Sequence, residues 1–160
     1  MSSVVATIPL IVRATDAPVD AELRHPIEPS NIAHWETRWR PVVEATVARL
    51  KAANVPRQDW PQDIHWDWKK KATAMRGLLS FKTFCIECEG TTQGICALNV
   101  SRRALLKAQA GQHLVYVEYL ETAPWNRREH QADPRFPRRW QRSSSQPSRC
   151  LRVRCATQQI

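Results

Sequence analysis

The sequence predicts one α/β domain, with helices ahead of most of its strands and a basic tail behind them. Three observations carry that expectation. Ile32, Trp35, Trp39, Val42, Val43, Val47 and Leu50 recur at three- and four-residue steps, which makes one apolar stripe on a helix. Two β-rich runs, Phe81 to Glu89 and Thr91 to Val100, are hinged at Glu89-Gly90 as a hairpin. Leu114 to Thr122 is rich in Val and Tyr and holds no breaker, so it reads as a further strand. A chain of 160 residues is one domain's worth, and its 42% hydrophobic content suffices for a core.

The elements follow in order. Val4 to Val12 reads as a strand, too short to cross a bilayer, and Met1-Ser-Ser offers no basic region for export. The expected location is cytoplasmic, with no membrane partner. Ala14 to Pro29 is polar, with three prolines, and reads as loop. Ser30 or Asn31 can cap the helix that follows, Pro41 should kink or divide it, and Asn54-Val55-Pro56 ends it. Trp60 to Lys71, WPQDIHWDWKKK, is the densest aromatic cluster in the chain. Ser101 to Ala110 is a basic connection, and Gly111-Gln112 leads into the last strand.

Charge is unevenly placed. Between Arg127 and Arg154 nine arginines face only Glu129 and Asp133, so +7 of the +9 net charge lies in the tail. The high pI therefore describes the tail rather than the folded body, which weakens a nucleic-acid reading. Residues 127–160 have no glycine, three prolines and no apolar period, and the expectation is disorder. The cysteine number is odd, five, which is no disulfide framework. Cys85-Ile-Glu-Cys88 has metal-knuckle spacing, completed on paper by Cys150 and Cys155. Residues three apart in a strand point to opposite faces, however, so no metal is expected.

Three runs together suggest a family. His65-Trp-Asp-Trp-Lys, then Phe84-Cys-Ile-Glu-Cys-Glu-Gly-Thr-Thr-Gln-Gly, then Leu114-Val-Tyr-Val-Glu-Tyr-Leu-Glu-Thr-Ala-Pro-Trp-Asn occur in that order. In wording and spacing they resemble motifs of a bacterial subgroup of the GNAT superfamily, the N-acetyltransferases related to the yeast histone acetylase. The match runs roughly from Trp35 to Asn126. It implies a GNAT-type sheet, acetyl coenzyme A as acetyl donor and an amine as acceptor. It also implies that the backbone of Leu120, Glu121 and Thr122 holds the pantetheine arm, where the next strand splays away.

The family continues with a glycine-rich turn, Arg/Gln-x-x-Gly-x-Gly/Ala, that cradles the pyrophosphate. Here no glycine follows Gly111. Such a cradle needs converging backbone N–H groups and residues that accept positive φ, and Phe136-Pro-Arg-Arg-Trp-Gln supplies neither. The chain then reads as a truncated domain over 1–126. Phe136 to Gln141 can be encoded so that dropping one cytosine yields Phe-Arg-Gly-Val-Gly, and the expectation is an out-of-frame tail over 127–160.

For the chemistry, a carboxylate facing the cleft would take the proton of an ammonium acceptor. Glu118 is the first candidate, with Tyr116 and Glu121 behind it; a structural or rim role reads equally well for each. By strict alternation Tyr116, Glu118, Leu120 and Thr122 share one face, and Val117, Tyr119 and Glu121 the other. His65 and Asp67 could suggest a catalytic or metal pair, but read as part of an aromatic patch over the sheet, with Lys69 to Lys71 as its solvated edge, or else as an acceptor-binding or lid element. The expected function is acetyl transfer to an amine, weak or absent in this form. The competing class is a non-enzymatic protein that binds nucleic acid or an acidic partner through its tail.

Overall fold

The computed structural model describes residues 2–130 and Arg135. The tail expectation over 127–160 lies, but for Arg127 to His130 and Arg135, outside the described residues. The described part is a helix-and-sheet domain, as the sequence predicts. Strands β1 (Ser3–Ile11) and β2 (Pro18–His25) precede α1 (Pro29–His34), a π-helical turn (Trp35–Trp39) and α2 (Arg40–Ala52). Then come α3 (Trp68–Met75), β3 (Phe81–Cys88), β4 (Thr91–Arg103) and β5 (His113–Thr122), closed by a 3₁₀ turn (Pro124–Asn126). The five strands form one antiparallel sheet in the order β1-β2-β3-β4-β5.

The segment expected to be loop holds β2, paired with β1 from Ser3↔His25 to Ile11↔Pro18. Val19, Ala21 and Leu23 alternate there with Asp20, Glu22 and Arg24, a strand period hidden by three prolines. Those prolines sit where a sheet tolerates them, at the first residue of the strand and beyond its last.

The helical stripe forms as expected, with Trp35 and Trp39 buried. Its start differs: Pro29 occupies the first turn, where its missing N–H is no loss, and Asn31 Oδ1 reaches back to accept from Glu28 N at 2.7 Å. Pro41 cannot donate to the carbonyl four residues back. The helix answers with the π turn, in which Arg40 N bonds Trp35 O, and so continues into α2 without a break. In the β3–β4 hairpin Glu89 (φ 50°) and Gly90 (φ 64°) both take positive φ, the two-residue turn whose twist suits paired strands.

α1, the π-helical turn and α3 pack on one face of the sheet. Trp35, Trp39, Trp68 and Met75 meet Cys85, Ile95, Ala97 and Ala123 there. Pairing places Phe84, Cys96 and Leu120 on the opposite face, with Lys82, Leu98 and Val117 in the next row. No helix among the described residues covers that face: Val117 is 52% and Leu120 56% exposed. Among the described residues β5 is also an edge strand, paired only with β4. No helix of the described residues is long and apolar enough to cross a membrane.

An open apolar face beside an open strand edge invites association. The chain should therefore bind a hydrophobic dye and scatter light as it is concentrated. Val117→Lys and Leu120→Lys should reduce both signals while shifting stability by no more than about 0.5 kcal/mol, as for exposed sites. A loss of several kcal/mol on chemical denaturation would show that the face is covered in solution.

Candidate functional site

The three motifs singled out in the sequence converge at the C-terminal end of β5. From the aromatic cluster, Trp68 is fully buried and donates its Nε1–H to Glu121 Oε2 at 2.5 Å. Trp66 meets Tyr119 edge to face, ring centres 5.4 Å apart, and Trp68 at 6.4 Å. Asp67, between them, caps α3 by accepting from Lys70 N at 3.0 Å, which fixes where both indoles leave the backbone. Of the expected solvated lysines, Lys69 and Lys70 are exposed. Lys71 instead lies over the Tyr119 and Trp66 rings, at 3.3 and 5.0 Å from their centres.

From the hairpin motif comes Gln93. Between Ile86↔Gly94 and Glu87↔Thr92, β4 sets two residues against one, so Gln93 is a bulge. Its Oε1 accepts from Trp125 Nε1 and Asn126 Nδ2, each at 2.9 Å, and its backbone O from Ala123 N at 2.9 Å. The bulge thus holds the turn that ends β5. Arg127, just beyond, forms an ion pair with Asp63 of the loop before α3.

A second bulge corrects the expected faces of β5. Ala97 pairs with Tyr119 and Leu98 with Val117, leaving Glu118 as the extra residue. Alternation therefore reverses there. Tyr116, opposite Asn99, joins the helix-covered face with Tyr119 and Glu121, and Val117 joins the open face with Leu120. Val117 and Val115 are exposed, whereas Tyr119 is covered by the Trp66 and Trp68 indoles. Glu118 and Tyr116 meet at Arg102, whose guanidinium lies 3.6 Å from Glu118 Oε2 and 5.4 Å from the Tyr116 ring centre. Leu120, Glu121 and Thr122 end the strand, on the side where β5 has no further partner among the described residues.

Two neighbouring hollows flank this end. A groove of about 580 Å³ is lined by Leu50, Trp60, Asp63, Trp66, Leu120 and Arg127. A smaller cavity of about 270 Å³ lies between α2 and the loop before α3; Asp63 and Trp66 belong to both, and Glu121 lines the smaller. A larger hollow of about 710 Å³ between α1, α3 and β3 touches none of the predicted site residues. Glu118 and Tyr116 line none of the three.

Glu121 is therefore the site residue whose side chain carries more than the sequence suggests, since only its backbone and a secondary role as base were expected. It is 4% exposed. Burial pushes its carboxyl up to about 7, against the Trp68 hydrogen bond, which favours the charged form. His130, buried against Thr46 Oγ1 at 3.0 Å, is shifted the other way, lowered by burial. Trp68 was expected only as part of an aromatic patch over the sheet, and Asp63 and Gln93 were not singled out beyond the aromatic run and the hairpin motif that contain them.

Cys85 and Cys88 face opposite sides, as read from the sequence. Burial raises both thiols, Cys85 to about 12, and no group of three His, Cys, Asp or Glu among the described residues could hold a metal. Cys150 and Cys155 lie outside the described residues. Compared with family models, with curated proteins and with solved structures, the chain finds no match in any of the three.

Glu121 gives stability a definite pH dependence. A carboxyl raised when folded holds its proton while the unfolded one has lost it, so stability falls as pH rises from about 4.5 to about 7 and then levels off. His130 contributes the opposite slope below its unfolded value, so the difference between wild type and Glu121→Gln isolates the carboxyl. The variant's advantage should grow across that window by on the order of 3 kcal/mol. Denaturation curves that remain parallel at every pH would show that Glu121 is not the buried acid described.

Proposed function

We propose that this chain is a GNAT-type acetyltransferase domain, derived from an enzyme that moves acetyl from acetyl coenzyme A to an amine, and weak or inactive in this form. One observation supports the reading above the others: the three motifs that resemble the family come together around the end of β5. That end has an open backbone edge and a groove beside it, the arrangement a pantetheine arm needs to bond Leu120, Glu121 and Thr122. The acetyl acceptor remains open among small-molecule, peptide and protein amines.

The fit to coenzyme A is partial. The strand edge suits the arm, but no glycine follows Gly111 to build a pyrophosphate cradle, so no catalytic step is derived through the coenzyme. The out-of-frame reading of 127–160 supplies a reason, and the nucleotide sequence around the codons of Phe136 and Pro137 tests it directly.

Calorimetry separates the two halves of the donor site. Acetyl coenzyme A and S-acetylpantetheine should both bind no better than about 1 mM, roughly −4 kcal/mol, and within a few-fold of one another, because the diphosphate adds nothing. Amide shifts on adding S-acetylpantetheine should cluster at Leu120 to Thr122. Micromolar binding of acetyl coenzyme A alone would mean that a different phosphate site exists. No shift at β5 would overturn the acetyltransferase reading.

A further inference from the structure

We propose that the 270 Å³ cavity between α2 and the loop before α3 binds an organic ammonium group, with the Glu121 carboxylate as its anionic floor. The first argument is charge. The acidic residues lining the cavity are Glu44, Asp63, Asp67 and Glu121. Glu44 pairs with Arg40 at 3.2 Å, Asp63 with Arg127, and Asp67 caps α3 with Lys70 Nζ at 3.8 Å. Glu121 forms no ion pair among the described residues; its hydrogen-bond partners are the indoles of Trp68 and Trp35, which donate but bring no charge. A buried carboxylate without a counter-ion favours a ligand that supplies one.

The second argument is the shape and chemistry of the walls. Trp35 and Trp66 present aromatic surface, Val43, Val47 and Ile64 apolar surface, and His65 stands at the side. Aromatic and apolar walls around the one carboxylate without an ion-pair partner among the described residues, with Arg40 taken up by Glu44, suit an alkyl chain ending in a cation. The volume is below that of most drug-sized pockets, so it fits a short amine or the end of a longer one. A metal ion is not favoured, because no three potential ligands converge among the described residues. A quaternary ammonium is not favoured either, since a desolvated carboxylate needs N–H donors as well as charge.

The inference deepens the acetyl-transfer reading by naming where its amine acceptor would enter, and it rests on that reading for what the amine is for. Binding itself rests on the cavity. The cavity shares Asp63 and Trp66 with the groove beside β5, so an amine on Glu121 would lie next to the groove proposed for the donor arm. A proton leaving the ammonium would pass to the Glu121 carboxylate, which becomes the neutral acid. Glu121, rather than Glu118, is then the proton acceptor.

The charged groups around Glu121 fix the expected pH dependence. Asp63 and Arg127 act on it in opposite directions, and Arg40, Glu44, His65 and Asp67 line the same cavity. Lys71 lies on the Tyr119 and Trp66 rings beside it. With the carboxyl titrating near 7, a cation that needs its charged form should bind about tenfold more tightly at pH 8 than at pH 6.

The test uses the full chain, n-butylammonium as probe and tryptophan fluorescence as readout, at fixed ionic strength. Saturable binding is expected, at least tenfold tighter than for butan-1-ol or tetramethylammonium and tenfold tighter at pH 8 than at pH 6. Glu121→Gln should lose tenfold or more with an unchanged circular dichroism spectrum. Equal binding of butan-1-ol, a flat pH profile in the wild type, or full binding by a folded Glu121→Gln would each overturn the inference. The wild-type comparisons decide it even if the variant does not fold. Titrating S-acetylpantetheine into the same samples separates the two readings. If butylammonium binds and acetylpantetheine does not, the cavity stands and the acetyltransferase reading falls; the reverse removes the cavity alone.

Discussion

The bond from Trp68 to Glu121 is the interaction on which this end of the molecule depends. A carboxyl buried to 4% exposure near a sheet end must be given donors or kept protonated, and the structure does part of each. Supplying the donor brings Trp68 across the sheet from a position 53 residues earlier in the chain. With Trp68 placed, Asp67 can cap α3, Trp66 reaches Tyr119, and Lys71 lies along both rings. Removing the indole N–H would leave a buried acceptor without its partner, a change of about 1–3 kcal/mol that packing alone does not represent. Trp39, equally buried, makes the contrast: its Nε1 has no hydrogen-bond partner among the described residues, and that residue contributes through packing.

Two bulges organise what surrounds this bond. Gln93 turns β4 so that one side-chain oxygen receives both Trp125 and Asn126, which locks the exit from β5. Glu118 reverses the faces of β5, which leaves Tyr116 and Glu118 gathered at Arg102 and keeps Tyr119 and Glu121 beneath the helices. Bulges commonly re-aim side chains next to functional sites, and here they separate two carboxylates that plain alternation would also separate, but with the neighbours exchanged. Among the described residues the same strand also has an open edge and an apolar outer face beside the candidate site.

Much of this was legible in the sequence, and the failures have physical causes. The helical stripe survived Pro41 because a π turn absorbs one missing donor without ending the helix. The hairpin was readable because Glu89-Gly90 is a strong turn signal. β2 was missed because prolines were counted by number rather than by position, although Val19, Ala21 and Leu23 alternate plainly. The reversal at Glu118 was not readable, since a bulge is set by pairing with β4 and leaves no period of its own. For the same reason spacing could not join Trp68 to Glu121. The resemblance put both residues in motifs of interest but gave Glu121 a backbone role, and burial is what draws attention to its side chain.

This end of the molecule depends on Glu121 being a buried acid held by Trp68. Carbon-13 detection of the glutamate carboxyls through a pH titration, with the Trp68 indole N–H followed in the same samples, reads this directly. One carboxyl is expected with a midpoint near 7, together with a Trp68 indole resonance that is protected from exchange and moves with that midpoint. All carboxyls titrating near the ordinary glutamate value, with a freely exchanging and pH-insensitive Trp68 indole, would contradict it.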